Sequence, residues 1–208
     1  MIQIKSDAEV ELMRAAGLVV GRTLEALTAA AVPGVTTADL DDLAEARIRD
    51  AGAIPSFKGY QPHPGVPPFP GSICASVNDE IVHGIPGGRV LRDGDLISID
   101  CGAILEGWHG DAAVTVAVGD VPDEARELLR VTEESMWRGL AAGRLGGRVS
   151  DIGHAVESYV RSQGPFGIVE DYTGHGIGSA MHQPPDVPNH GRPGRGPRGR
   201  LKPRGNSL

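Results

Sequence analysis

The 208 residues suit one large domain with a mostly aliphatic core, since 40% are hydrophobic but only 4% aromatic. Two cysteines, Cys74 and Cys101, exclude a disulfide framework and suit a reducing compartment. The formal charge of −7 is uneven: Arg192, Arg195, Arg198, Arg200, Lys202 and Arg204 give the last residues a local +6, so the remainder carries −13. An acidic body argues against general nucleic-acid binding and leaves the basic tail as a solvated, disordered end. Ile2-Gln3-Ile4-Lys5 lacks a signal-peptide pattern, and no apolar run approaches the ~18 residues of a membrane span. The expectation is a soluble cytoplasmic protein.

Ser6-Asp7-Ala8-Glu9 is a capping-box pattern. Behind it Val10, Met13, Leu18, Leu24 and Leu27 follow a helical stripe that Pro33-Gly34 ends. A second helix opens near Thr36-Thr37, presents Leu40, Leu43, Ala44 and Ile48 on one face, and stops at Gly52. Pro and Gly make residues 53–72 a long loop. Extended segments are expected at 73–77, 96–101 and 112–118, with 106–110 turning the chain between the last two. Helices return at 122–140 and, capped by Ser150, at 151–163. Gly174-His175-Gly176-Ile177-Gly178 starts another extended or turn region, and the chain reads as irregular beyond Pro184.

Asp100 lies within an apolar strand, Ile97-Ser98-Ile99-Asp100-Cys101-Gly102, where an isolated carboxylate is costly to bury. A hairpin turning at Leu105–Glu106 sets Asp111 directly opposite it, with Cβ atoms ~4.5–5.5 Å apart. Carboxylates that close repel unless a proton or a cation separates them, and a pair of hard metal ions resolves the conflict. Spacing alone serves equally well a buried Asp with backbone hydrogen bonds beside a turn-capping Asp. His175 sits among glycines that allow close backbone approach, and imidazole is a natural ligand for divalent metals. His83 and His182, like His175, are each more often structural when taken singly. Their value is joint.

Several segments in order and spacing resemble type I methionine aminopeptidases: residues 76–86 (Ser-Val-Asn-Asp-Glu-Ile-Val-His-Gly-Ile-Pro), Ile99-Asp100-Cys101-Gly102, His109-Gly110-Asp111 and Gly174-His175-Gly176-Ile177-Gly178. Lys5, Met13, Ala16-Gly17 and Pro33-Gly34-Val35-Thr36 agree as well. The resemblance implies an α+β, pita-bread fold: a curved antiparallel sheet flanked by helices. It implies that Asp100 chelates one metal, that Asp111 bridges two, and that His175 is the imidazole ligand. His83 and His182 would be catalytic and contact the substrate. Cys74, Phe69 and Met181 would line the methionine pocket, though ordinary apolar packing accounts for them equally. The implied cofactors are two divalent ions (Co, Fe, Mn or Zn). The implied reaction removes initiator methionine before a small second residue from nascent polypeptide N-termini at the ribosome. The expected enzyme is a monomer with no membrane and no nucleic-acid partner.

The sequence departs from that pattern twice. The loop Gln61–Pro68 is longer than usual and reads as a tolerated surface insertion. No glutamate follows Glu170, whereas the family pattern has two more glutamate ligands after a turn like Leu201-Lys202-Pro203. The reading is therefore a catalytic domain over 1–190 with its last strands missing, then a basic tail over 191–208, with doubtful metal occupancy and weak turnover. The alternative is a non-catalytic pita-bread homologue that binds the ribosome or another protein. Proline-specific dipeptidases fit His83-Gly84-Ile85-Pro86 less well.

Overall fold

The computed structural model describes residues 2–61 and 63–198. Met1, Pro62 and residues 199–208, which include Arg200, Lys202, Arg204 and the Leu201-Lys202-Pro203 turn, lie outside the described residues. The chain forms two compact units. One is Ala8–Arg126 with Ile177–Met181; the other is Glu127–Gly176 with the described parts of Met1–Asp7 and His182–Leu208.

In the first unit, α1 (Asp7–Ala30) begins immediately after Ser6, and α2 (Thr37–Asp50) begins after Thr36. The cap of α2 is reciprocal: Thr36 Oγ1 accepts the Asp39 amide at 3.1 Å, and the Asp39 carboxylate accepts the Thr36 amide at 2.8 Å. Leu40, Ala44 and Ile48 are fully buried on the expected face. Beneath the two helices lies an antiparallel sheet of β1 (Ile54–Pro55), β2 (Ile73–Val77), β3 (Leu96–Leu105) and β4 (Trp108–Ala117). One edge of β3 pairs with β2 and, further along, with β1, while β4 takes the other edge.

The pleat divides this sheet into two unlike faces. Ile73, Ala75 and Val77 of β2 join Ile97, Ile99, Cys101 and Ala103 of β3 in the core formed with α1 and α2. The opposite face carries Cys74, Ser98, Asp100, Asp111 and Thr115, with the Ser98 and Thr115 hydroxyls hydrogen-bonded at 2.8 Å. Gly110 belongs to the core side, and α1 explains it: a Cβ there would stand 2.7 Å from the Ala16 carbonyl carbon and the Gly17 nitrogen. The glycine of His109-Gly110-Asp111 thus lets a helix backbone lie on the strand while its neighbours point the other way.

The hairpin corrects the expected register. Glu106 and Gly107, both at positive φ (50° and 80°), make a two-residue turn, so β4 starts at Trp108 and Leu105 pairs with Trp108. Both central residues left-handed is the type I′ pattern that matches strand twist. Asp100 therefore pairs with Ala113 and Asp111 with Gly102. The two aspartates are diagonal neighbours on one face, not directly opposed.

The loop after β1 is pinched shut, since the Phe69 amide donates to the Tyr60 carbonyl at 2.9 Å and the Gly59 amide to the Phe69 carbonyl at 2.8 Å. Among the described loop residues, Gln61 Nε2 donates to the Val66 carbonyl at 2.6 Å.

The second unit contains α3 (Asp123–Ala142) from Glu127 onward, α4 (Val149–Gln163), β5 (Gly174–Gly176) and β6 (Gln183–Val187). Val131, Val156 and Val160 form its small core with Tyr159, Phe166 and Ile168. Helix α4 starts before the expected Ser150 cap because the Asp151 carboxylate accepts the Arg148 amide at 2.7 Å. Ser150 instead fastens the segment beyond residue 190: its hydroxyl donates to the Arg195 carbonyl at 2.8 Å and accepts the Arg195 amide at 2.7 Å. Asp151 also accepts the Gly194 amide at 2.7 Å. Strand β6 pairs only with β5 among the described residues, which is how a Pro-Pro segment without amide donors is tolerated.

Gly110→Ala is expected to destabilise the chain by ~1–3 kcal/mol because helix backbone occupies the Cβ position. Gly21→Ala, on an exposed part of α1 with nothing within 4 Å, is expected to stabilise it by up to ~1 kcal/mol. Urea unfolding of both variants checks the pair of signs.

Candidate metal centre

The carboxylate pair is created by alternation. From Asp100, Cys101 turns into the core and Gly102 returns to the site face; from Asp111, Gly110 turns toward α1 and His109 returns. Burial, then the charge of Asp111 and a hydrogen bond to it, push the Asp100 carboxyl well above the usual carboxylate range. Asp100 therefore keeps its proton to higher pH than an isolated aspartate does.

Cys74 is the register partner of Asp100 on β2. Burial first, then the charges of Asp100 and Asp111, push its thiol up to about 12. At neutral pH Cys74 is a protonated, soft, apolar side chain, which excludes a thiolate nucleophile here. It packs with Phe57, Met181 and Phe69, so the three expected pocket residues are together and Phe57 joins them.

His83 is held by backbone geometry. Its φ of 59° is left-handed, which is uncommon for a non-glycine residue. The Gly84 amide donates to Ser76 Oγ at 3.0 Å, and the Gly84 carbonyl accepts the Ala75 amide at 2.9 Å. A Cβ on Gly84 would lie 2.4 Å from the Ala75 carbonyl oxygen, so only glycine permits the segment bearing His83 to lie against β2.

His175 and His182 are in the second unit, with ring centroids 4.3 Å apart. His175 Nδ1 lies 3.0 Å from the Gly176 carbonyl oxygen. A carbonyl can only accept, so the proton is on Nδ1 and the neutral ring keeps its lone pair on Nε2, as a ligating histidine requires. Gly176 is needed where β5 meets β6, since a Cβ would lie 2.6 Å from the Pro184 carbonyl oxygen.

Two side chains absent from the sequence-derived set also shape the site. Asp41 on α2 accepts the Ser72 amide at 2.7 Å and the Ile73 amide at 3.0 Å, fixing the start of β2 one residue before Cys74. His109 Nδ1 shares a hydrogen bond with Ser56 Oγ at 3.1 Å. The two-residue spacing from Asp111 was the signal available for His109; Asp41 has none, since its partners are 31 and 32 positions away.

The donor chemistry fits a divalent cation. Hard carboxylate oxygens suit a divalent cation, which relieves the repulsion between the aspartates. Among the described residues no three His, Cys, Asp or Glu side chains gather into a metal cage, so the fit rests on the carboxylate pair and the tautomer of His175.

An antiparallel sheet under helices thus carries paired carboxylates on the face away from its main core. Residues 11–204 match the model of metallopeptidase family M24, and the chain belongs to that family. It is 56% identical to the methionine aminopeptidase of Clostridium acetobutylicum over 95% of this chain and 77% of that protein. It is 50% identical to methionine aminopeptidase 1 of Bacillus subtilis, over 98% of this chain and 78% of that protein. The crystal structure of methionine aminopeptidase from Rickettsia prowazekii superposes with a TM-score of 0.91 at 39% identity, covering 96% of this chain and 78% of that one. The fold is thus the α+β pita-bread fold of those enzymes.

Because Asp100 stays protonated to higher pH in the folded chain than in the unfolded one, the folded state binds more protons between the two pKa values. Metal-free stability should therefore fall as pH rises from ~4 through the folded-state titration of the pair. Asp111→Asn is expected to flatten that fall without abolishing it, since burial remains the larger cause. Urea midpoints from pH 5 to 8 in chelator measure this; an unchanged slope in Asp111→Asn would contradict it.

Proposed function

We propose that this chain removes the N-terminal methionine from polypeptides by metal-assisted hydrolysis. Membership of family M24 and the curated methionine aminopeptidases at 56% and 50% identity support this reading. The observation that carries it is the Asp100–Asp111 pair on the inner face of β3 and β4.

In this reading Asp100 and Asp111 bind and orient the divalent metal, and His175 offers Nε2 to it. When bound, the metal supplies Lewis acidity for the scissile carbonyl and a water nucleophile near neutral pH. His182 donates a hydrogen bond that favours the developing oxyanion, and His83 contacts the substrate amine or the incoming nucleophile. Phe69, Cys74 and Met181, with Phe57, take the substrate's methionine side chain, because a thioether packs well against sulfur and aromatic edges. The protonated thiol of Cys74 suits that task better than a charged one. A small second residue is preferred. Two divalent ions, nascent chains at the ribosome as substrate and a monomeric state in the cytoplasm complete the proposal. Among the described residues no helix is long and apolar enough to cross a membrane.

Incubation of purified chain with Mn(II) or Co(II) and a Met-Ala-Ser peptide should release methionine at a rate that chelator reduces to the blank. The dependence of turnover on metal is the discriminating readout. Asp111→Asn, which removes one carboxylate that would hold the metal, should lower the rate by about 10-fold or more. Wild-type rates in Asp111→Asn, or no release with any metal, would contradict the proposal.

A further inference from the structure

We propose that His109 is a positioning residue that joins the apolar pocket to the strand bearing Asp111. The inference rests on the reading of that pocket as the methionine site. His109 and Asp111 project on the same face of β4, two residues apart. The His109 ring reaches Ser56 Oγ at 3.1 Å, and its backbone amide donates to the Gly178 carbonyl at 2.9 Å. Each contact seizes a segment that supplies a pocket side chain: Ser56 precedes Phe57, and Gly178 lies in the Ile177–Met181 segment that ends at Met181. Phe57 and Met181 then meet Cys74 in one buried cluster.

The register shows why a connection is needed there. Gly102, the partner of Asp111, has no side chain, and Ser56 Cβ and the Phe57 ring each stand 2.8 Å from where its Cβ would be. The Ser56 amide also donates to the Gly102 carbonyl at 2.9 Å. Residues 56 and 57 are thus seated on the floor beside Asp111, with the His109 ring as their side-chain clamp. A substrate whose first side chain fills the pocket has its scissile bond set relative to Asp111 by that clamp. Ser56 is 8% exposed, so its hydroxyl exchanges little of this bond for water.

The test uses the 208-residue chain without metal, titrated with Met-Ala-Ser and Glu-Ala-Ser peptides and followed by NMR shift changes. Wild type should bind Met-Ala-Ser in preference to Glu-Ala-Ser. His109→Ala and Ser56→Ala should each weaken Met-Ala-Ser binding by about 3–10-fold, the range of one neutral hydrogen bond, and the double variant by no more than either. His109→Asn, whose amide reaches the Nδ1 position, should recover most of the loss; a purely structural loss would show in urea midpoints without weakening binding to the folded protein. If His109→Ala fails to fold, Ser56→Ala and His109→Asn decide the question. Wild-type affinity in the folded Ser56→Ala and His109→Ala variants would overturn the proposal. Absence of any methionine preference in wild type would instead overturn the pocket reading beneath it.

Discussion

Two carboxylates on one partly buried sheet face repel each other, and the surroundings of Asp100 and Asp111 are built to hold them there nonetheless. The type I′ turn at Glu106-Gly107 sets the diagonal register that brings the acids together without opposing them directly. Cys101 and Gly110, the residues beside them, face the other way into the core and against α1. Strand β3 is anchored by Ile97, Ile99, Cys101 and Ala103, all fully buried, so it cannot tilt to separate the acids without disrupting the main core. Packing on one face thereby sustains electrostatic conflict on the other, and a shared proton or a cation resolves it.

The same field governs the neighbours. A thiol opposite Asp100 on a buried face stays protonated, so Cys74 contributes polarizable apolar surface to the pocket. In the second unit, the Gly176 carbonyl fixes the His175 proton on Nδ1, by a contact that needs no remote side chain. Asp111 and His175 each lie beside a glycine at a close approach, Gly110 and Gly176 in sequence and Gly102 across from Asp111.

Much of this is legible in the sequence because the signals are local. β-Branched residues mark most of β3 and β4, and Thr36 with Asp39 marks the start of α2 within four residues. The expected register misses by two because opposing the two acids centres the turn at Leu105–Glu106, whereas it sits at Glu106-Gly107. Strand β6 is hidden by Pro184 and Pro185, which oppose strand propensity but are tolerated with one pairing partner. Ser150 and Asp151 hydrogen-bond to the backbone of residues 195 and 194 from more than forty positions away, a contact that no local pattern announces. Asp41 and Ser56 escape for the same reason: their roles exist only once distant strands meet.

A divalent cation should replace the proton shared by Asp100 and Asp111. Calorimetric titration of Mn(II) into the metal-free chain near neutral pH, in buffers of different ionisation enthalpy, counts the protons released per metal bound. Release of a fraction of a proton, shrinking as the pH is raised, is expected in the wild type and clearly less in Asp111→Asn, with weaker binding. Binding without proton release, or equal affinity and release in Asp111→Asn, would contradict that exchange.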